Sequence, residues 1–386
     1  MKSCRHSDTG GSRQRLYEMR QRISTALSFL VLIGIGLGTT KSQAQNRAYV
    51  PNSGSNTVSV IDTATDTVAT TIPPLGCSPQ GVAITPDGAR AYLTFSCTDA
   101  VLVIDTTTNS EFASIPVGAN PDWITITPDG TRAYVSNFNG GVSVIDIATN
   151  TVIATIPVGL SPEGIAITPD GTRAYVDVSE SSTVSVIDLA TNTVTSNIPV
   201  GGAPFGIALT PDGTRAYVAN LDDVAVIDTA SNMIVDTISV VAPVAVAITP
   251  DGSRAYVTEA CHFSSICPVG NGVVVIDTAT NIVVATIPAG VDDTHFGIAI
   301  TPDGLRAYVT DAYSSAVSVI DTTANSAIST IPVGLYPWAV AITPNPLTPT
   351  DKEQCKRGGY LKFGPPAGPF KNQGQCVSYV EHHQGS

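Results

Sequence analysis

Residues 127–167 read TPDGTRAYVSNFNGGVSVIDIATNTVIATIPVGLSPEGIAI. Three turn signals (PDG, TATN and a link bearing Gly and Pro) cut this stretch into four short runs rich in Val, Ile, Thr and Tyr. We call the runs strand A (GIAI-like), B (RAYV-like), C (VSVID-like) and D (TVIATIPV-like). The unit recurs from Thr85, Thr127, Thr168, Thr210, Thr249 and Thr301, mostly 41 or 42 residues apart, with one unit of 39 and one of 52. Four strands in each unit of some 40 residues is the pattern of a β-propeller blade.

Working outward from that unit, each strand type occurs seven times. A strands lie near residues 81, 123, 164, 206, 245, 297 and 339. The repeat opens with B, C and D strands (residues 47–73) and ends on a lone A strand, Ala339 to Thr343. That last strand is expected to complete the first blade and leave no sheet edge unpaired. The expected fold is therefore all-β, a seven-bladed propeller with four antiparallel strands per blade. In strand A, small residues such as Gly164 and Ala166 alternate with large ones such as Ile165 and Ile167, so opposite faces can interdigitate with neighbouring blades. Arg at the start of B should oppose Asp at the end of C. The seven pairs are Arg47–Asp62, Arg90–Asp105, Arg132–Asp146, Arg173–Asp188, Arg215–Asp228, Arg254–Asp277 and Arg306–Asp321, a structural rather than catalytic use of charge.

The tetrapeptides AYVP, AYLT, AYVS, AYVD, AYVA and two copies of AYVT make the chain resemble the YVTN-family β-propellers over residues 46–344. The resemblance implies an extracytoplasmic or cell-surface protein. It does not choose among surface components, lactonases, lyases and cofactor-bearing dehydrogenase subunits.

The ends read differently. Residues 1–22 hold six basic side chains and precede an apolar run, Ile23–Gly38, then small residues at Ser42 and Ala44, so 1–44 reads as a signal peptide. With it cleaved, no membrane-spanning segment is expected. Residues 45–344 carry 27 acidic groups against seven Arg and no Lys, a net of −20, which argues against nucleic acid as a partner. A Pro-rich linker (345–354) leads to a short segment, 355–386, and the two together carry a net charge of +2. Its CKRGG and FKNQGQCV stretches resemble a C-terminal module of exported bacterial proteins. Six cysteines outside the leader suit an oxidising compartment. Strand pairing places Cys77 beside Cys97; Cys261 and Cys267 should close a small loop; Cys355 and Cys376 should staple the tail segment.

The D–A links and B–C loops share one face, and the residues entering the seven A strands there are Gln80, Asp122, Glu163, Phe205, Val244, Phe296 and Trp338. They form a candidate binding rim, half acidic or polar and half apolar. A second candidate is a metal or acid–base cluster of Glu259, His262, Asp292, Asp293 and His295, holding the propeller's two histidines; a divalent ion is the cofactor such a set would take. No nucleophile elbow, phosphate loop, HExxH or CxxCH motif occurs. The expectation is a non-catalytic scaffold that engages a protein or surface glycan through its loop face. A metal-dependent lyase or lactonase at the mouth, and a redox-enzyme subunit, are the alternatives.

Overall fold

In a computed structural model, residues 46–260, 272–289 and 295–344 are described. They form seven four-stranded antiparallel sheets in a ring, a seven-bladed β-propeller without a helix among the described residues. We number the blades I to VII from the N-terminus. Consecutive A strands touch around the axis, and D strands form the outer edges. The leader (1–44), the linker (345–354), the tail segment with Cys355–Cys376 and the Cys261–Cys267 loop all lie outside the described residues. No described helix is long and apolar enough to cross a membrane.

Ring closure takes the expected form. Blade I is built from strand B (Arg47–Asn52), C (Thr57–Asp62), D (Thr67–Ile72) and the C-terminal A strand. Only Ala341–Ile342 of that A strand is regular, opposite Tyr49 and Ala48. Flanking bonds lengthen the seam: the Thr343 amide donates to the Arg47 carbonyl at 2.8 Å and the Trp338 amide to the Pro51 carbonyl at 3.0 Å.

The turns follow from side-chain chemistry. In TPDG, the Thr85 hydroxyl donates to Asp87 at 2.5 Å while accepting from the Arg90 amide at 3.0 Å, and Gly88 takes the left-handed conformation (φ +71°) that closes the turn. In TATN, Asp146 Oδ1 accepts from the Thr149 amide and hydroxyl, both at 2.8 Å. Asn150 then sits at φ +52°, a conformation Asn tolerates better than most residues.

All seven Arg stand opposite their Asp in register. Their guanidinium groups go further afield. Arg132, Arg173 and Arg215 donate to the carbonyls of Leu189, Thr229 and Thr278, each in the next blade. Arg254 does pair with Asp277, whereas Arg306 reaches Asp66 of blade I at 2.7 Å. Each Asp is held mainly by its own turn, whose hydrogen bonds depress the carboxyl pKa of Asp105, Asp146, Asp188, Asp228 and Asp277. The register is as read from sequence, but most of the contacts expected within a hairpin are contacts between blades.

The tyrosines of the AYV motif make the second tie. Each is fully buried. Six donate a hydroxyl proton to the turn Asn of the following blade, from Tyr49 to Asn109 through Tyr256 to Asn325, at 2.7–3.0 Å. At the closing junction Tyr308 donates to Asp66 instead, at 2.5 Å. Between the blades lie seven apolar clusters, one per junction, in which residues such as Ile165 pack against Tyr134 and Val176.

Candidate functional site

The rim is laid out by the A strands. Gln80, Asp122, Glu163 and Val244 are the second residues of Pro79–Ile84, Pro121–Ile126, Pro162–Ile167 and Pro243–Ile248, and Phe296 that of His295–Ile300. Phe205 and Trp338 follow Pro204 and Pro337, so prolines introduce six of the seven positions. Neighbouring strands come within backbone contact: the Gly164 amide donates to the Phe205 carbonyl at 3.0 Å. A Cβ on Gly164 would lie 2.9 Å from that oxygen and 2.7 Å from Asp177 Oδ2, so only glycine fits.

Blades V, VI, VII and I contribute the apolar arc. Val244 and Phe296 are buried with Ala260 and Ala312, and Phe205 and Trp338 pack against them. Phe296 and Trp338 stack with ring centroids 4.1 Å apart. Blades II, III and IV contribute Gln80, Asp122 and Glu163. Asp122 is 8% exposed and Glu163 5%, and their carboxyls are hydrogen-bonded to each other. Two carboxyls can share such a bond only if one donates a proton to the other. Burial raises the pKa of Asp122. Burial, the bond to Asp122 and the charges of Asp122 and Asp177 together raise Glu163 well above its ordinary 4.5.

Asp177 is the residue that sequence reading missed. It is fully buried, neither carboxyl oxygen has a hydrogen-bond partner, and burial holds its pKa well above 3.8. Its place in strand B is filled by Thr94, Ser136, Thr258 and Thr310 in other blades. Thr94 and Thr310 donate their hydroxyls to the next blade's rim carbonyls, Asp122 O at 2.6 Å and Trp338 O at 3.2 Å. The signal was present as AYVD among AYLT, AYVS and AYVT, the one acid in that column.

The second candidate cluster is only partly visible. Glu259 is buried at the end of strand B in blade VI, opposite Pro243, and His295 opens strand A of blade VII, opposite Asp311. His262, Asp292 and Asp293 lie outside the described residues. Among the described residues, no group of three His, Cys, Asp or Glu is set to hold a metal ion. Cys77 and Cys97 are joined as a disulfide across the loop face of blade II, with Cα atoms 5.9 Å apart. A hollow of about 310 Å³ on the opposite face is lined by Asp212, Arg215, Asp251 and Thr278, the turn chemistry common to every blade.

No protein-family model matches the sequence, and no curated protein does. Solved structures do. A chain of Kuenenia stuttgartiensis hydrazine synthase is similar at 25% identity and a TM-score of 0.62, over 69% of this chain and 90% of that one. A protein of unknown function from Desulfotomaculum acetoxidans matches at 21% identity and TM-score 0.67, over 78% of this chain and 99% of that one. The dihydro-heme d1 dehydrogenase NirN, solved in complex with DHE, matches at 14% identity and TM-score 0.60, over 77% and 75%. The last two likenesses establish the fold. The hydrazine synthase likeness overturns the scaffold expectation and favours the redox alternative: that neighbour is named as an enzyme, as is the dehydrogenase that shares the architecture.

Proposed function

We infer that this chain is the propeller subunit of an exported redox enzyme and works beside a subunit that carries the redox cofactor. The observation that carries the reading is the 25% identity to a hydrazine synthase chain, sustained over 90% of that chain. Export is supported by the basic and then apolar start of the sequence and by the Cys77–Cys97 disulfide.

Placing the cofactor on a partner follows from the donor set. Covalent haem attachment does not fit: the sequence has no CxxCH, and Cys77 and Cys97 are spent on each other. Nor does the rim suit the carboxylates of a free tetrapyrrole, since it offers carboxyls and apolar groups and no Lys or Arg. What the rim does supply is a pair of buried carboxyls sharing a proton, able to give or take one beside chemistry that moves electrons.

The test is isolation of the full protein, tagged at its native locus, from the exported fraction of its source cells. Visible spectra are recorded before and after dithionite, with iron and copper counted per chain. A reducible chromophore should co-purify at fixed ratio and leave with the partner when salt separates the two. A colourless preparation at both low and high salt would overturn the reading.

A further inference from the structure

The outer wall of the ring is made by the D strands, and among the described residues no strand pairs with their outer edges. Five of the seven open on a hydroxyl, at Thr67, Ser110, Thr151, Thr193 and Ser326. In three of these the next residue is a half-buried valine, Val68, Val152 or Val194. Blades V and VI depart from the pattern. Their D strands, Met233–Ser239 and Ile282–Pro288, open on Met233, Ile234 and Val235 and on Ile282, Val283 and Val284, all 38–63% exposed. Asn281 Nδ2 donates to Asp236 Oδ2 at 2.8 Å, so the two strands lie side by side on that wall. Together the six residues leave on the order of 500 Å² of apolar surface in water, a size at which patches are often functional. Natural edge strands are ordinarily guarded by Lys or other charges. Ile282–Pro288 has none.

We propose that this edge is a two-fold interface between copies of the chain, in which Ile282–Pro288 pairs antiparallel with the same strand of a second copy. Charge selects a second copy. Residues 45–344 carry a net of −20, so two copies can meet only where carboxylates are not forced together. Antiparallel pairing centred on Ala285 sets Val284 opposite Thr286 and Val283 opposite Ile287, with no charge in the ladder. Pro288, which has no N–H to give, falls at the ladder's end. The one acid in strand D of blade V, Asp236, already has its carboxylate held by Asn281 and by the Thr237 amide.

Geometry and area agree with that choice. The two-fold axis of an antiparallel pair stands perpendicular to the sheet, so both blade V edges fall on the same side of it. Met233, Ile234 and Val235 of the two copies then approach each other across the seam. Two such patches remove about 1,000 Å² from water, the least a specific interface needs, before any backbone bond is counted. The inference stands apart from the redox reading, needs no cofactor, and survives if that reading fails.

Sedimentation equilibrium of the full protein, made by export into an oxidising compartment, should show a monomer–dimer equilibrium. Val284→Lys should raise the dissociation constant about a hundredfold, because each copy then buries an unpaired ammonium group. Met233→Thr with Ile282→Thr installs the residue that blades I, III and IV carry in that place. It should raise the constant about tenfold and leave the melting temperature unchanged. Ile153→Lys, at the exposed edge of blade III, should leave the dimer intact. A monomer at every concentration, a dimer that Val284→Lys leaves intact, or one that Ile153→Lys disrupts equally would each overturn the proposal. So would a complex from the source cells that loses its cofactor-bearing partner on Val284→Lys while the protein alone stays monomeric, since the edge would then belong to that partner.

Discussion

Asp177 shows how one side chain can run against the repeat that surrounds it. The column it occupies holds Thr or Ser in four other blades, and the hydroxyls of Thr94 and Thr310 tie one blade to the next. In their place stands an acid whose oxygens are buried without a partner. Replacing it with Thr should therefore raise stability by about 1–3 kcal/mol, the usual penalty of an unsatisfied buried polar group. Urea unfolding followed by circular dichroism measures the change, and a destabilised variant would mean that Asp177 has a structural partner. The acid was legible as a letter, since AYVD is visible in the sequence. Its burial was not, because that depends on the A strand of blade V, some 30 residues further along. The rim residues Asp122 and Glu163 were legible as positions, but the carboxyl–carboxyl bond between them needs the distance between two A strands, which no spacing encodes.

At the scale of strands and turns, sevenfold repetition made nearly everything readable. PDG and TATN marked the hairpins, Arg and Asp marked the register, and the B, C, D start against an A end marked the closing seam. What repetition concealed was the direction of the ties. Arg and Asp face each other in one hairpin, yet four of the Arg side chains described above reach the following blade. The motif tyrosine and the turn asparagine are likewise each conspicuous, but they meet only across a junction. Tyr217 to Asn281 is a representative tie at 2.7 Å, on a tyrosine whose burial raises its pKa. Tyr217→Phe keeps the ring in its cluster and removes one hydroxyl, so it should cost about 1 kcal/mol. Thermal and urea unfolding of the variant check this; no change in either would mean that the clusters alone hold the blades together. At the closing junction, Asp66 replaces the turn Asn and accepts from both Tyr308 and Arg306. The seam that the chain makes with its own two ends is thus the one junction where the tyrosine's partner is also an ion pair.

Across the whole molecule, two populations of carboxyl groups pull the pH dependence of stability in opposite directions. The turn aspartates, among them Asp105, Asp146, Asp188, Asp228 and Asp277, have pKa values depressed by hydrogen bonds within their turns. Their contribution is present above the ordinary value of 3.8 and is lost as pH falls below it. Asp122, Glu163 and Asp177 are shifted the other way by burial. In the unfolded chain they ionise near 3.8 to 4.5, while in the fold they stay protonated, so stability is greatest below those values and falls as pH rises toward the folded pKa. The acidity of the propeller acts in the same sense, because a net of −20 over residues 45–344 repels itself more strongly as the carboxyls ionise. The melting temperature should therefore peak near about pH 4 to 5, below the range of about 5 to 8 usual for proteins, and decline through neutrality. Calorimetric scans in low-salt and high-salt buffers separate the two causes. Self-repulsion is screened by salt, whereas a buried carboxyl is screened far less. Glu163→Gln removes one of the buried groups and should flatten the decline even at high salt. A wild-type melting temperature that holds level from pH 5 to 8 at high salt would mean that the three carboxyls ionise freely in the folded protein.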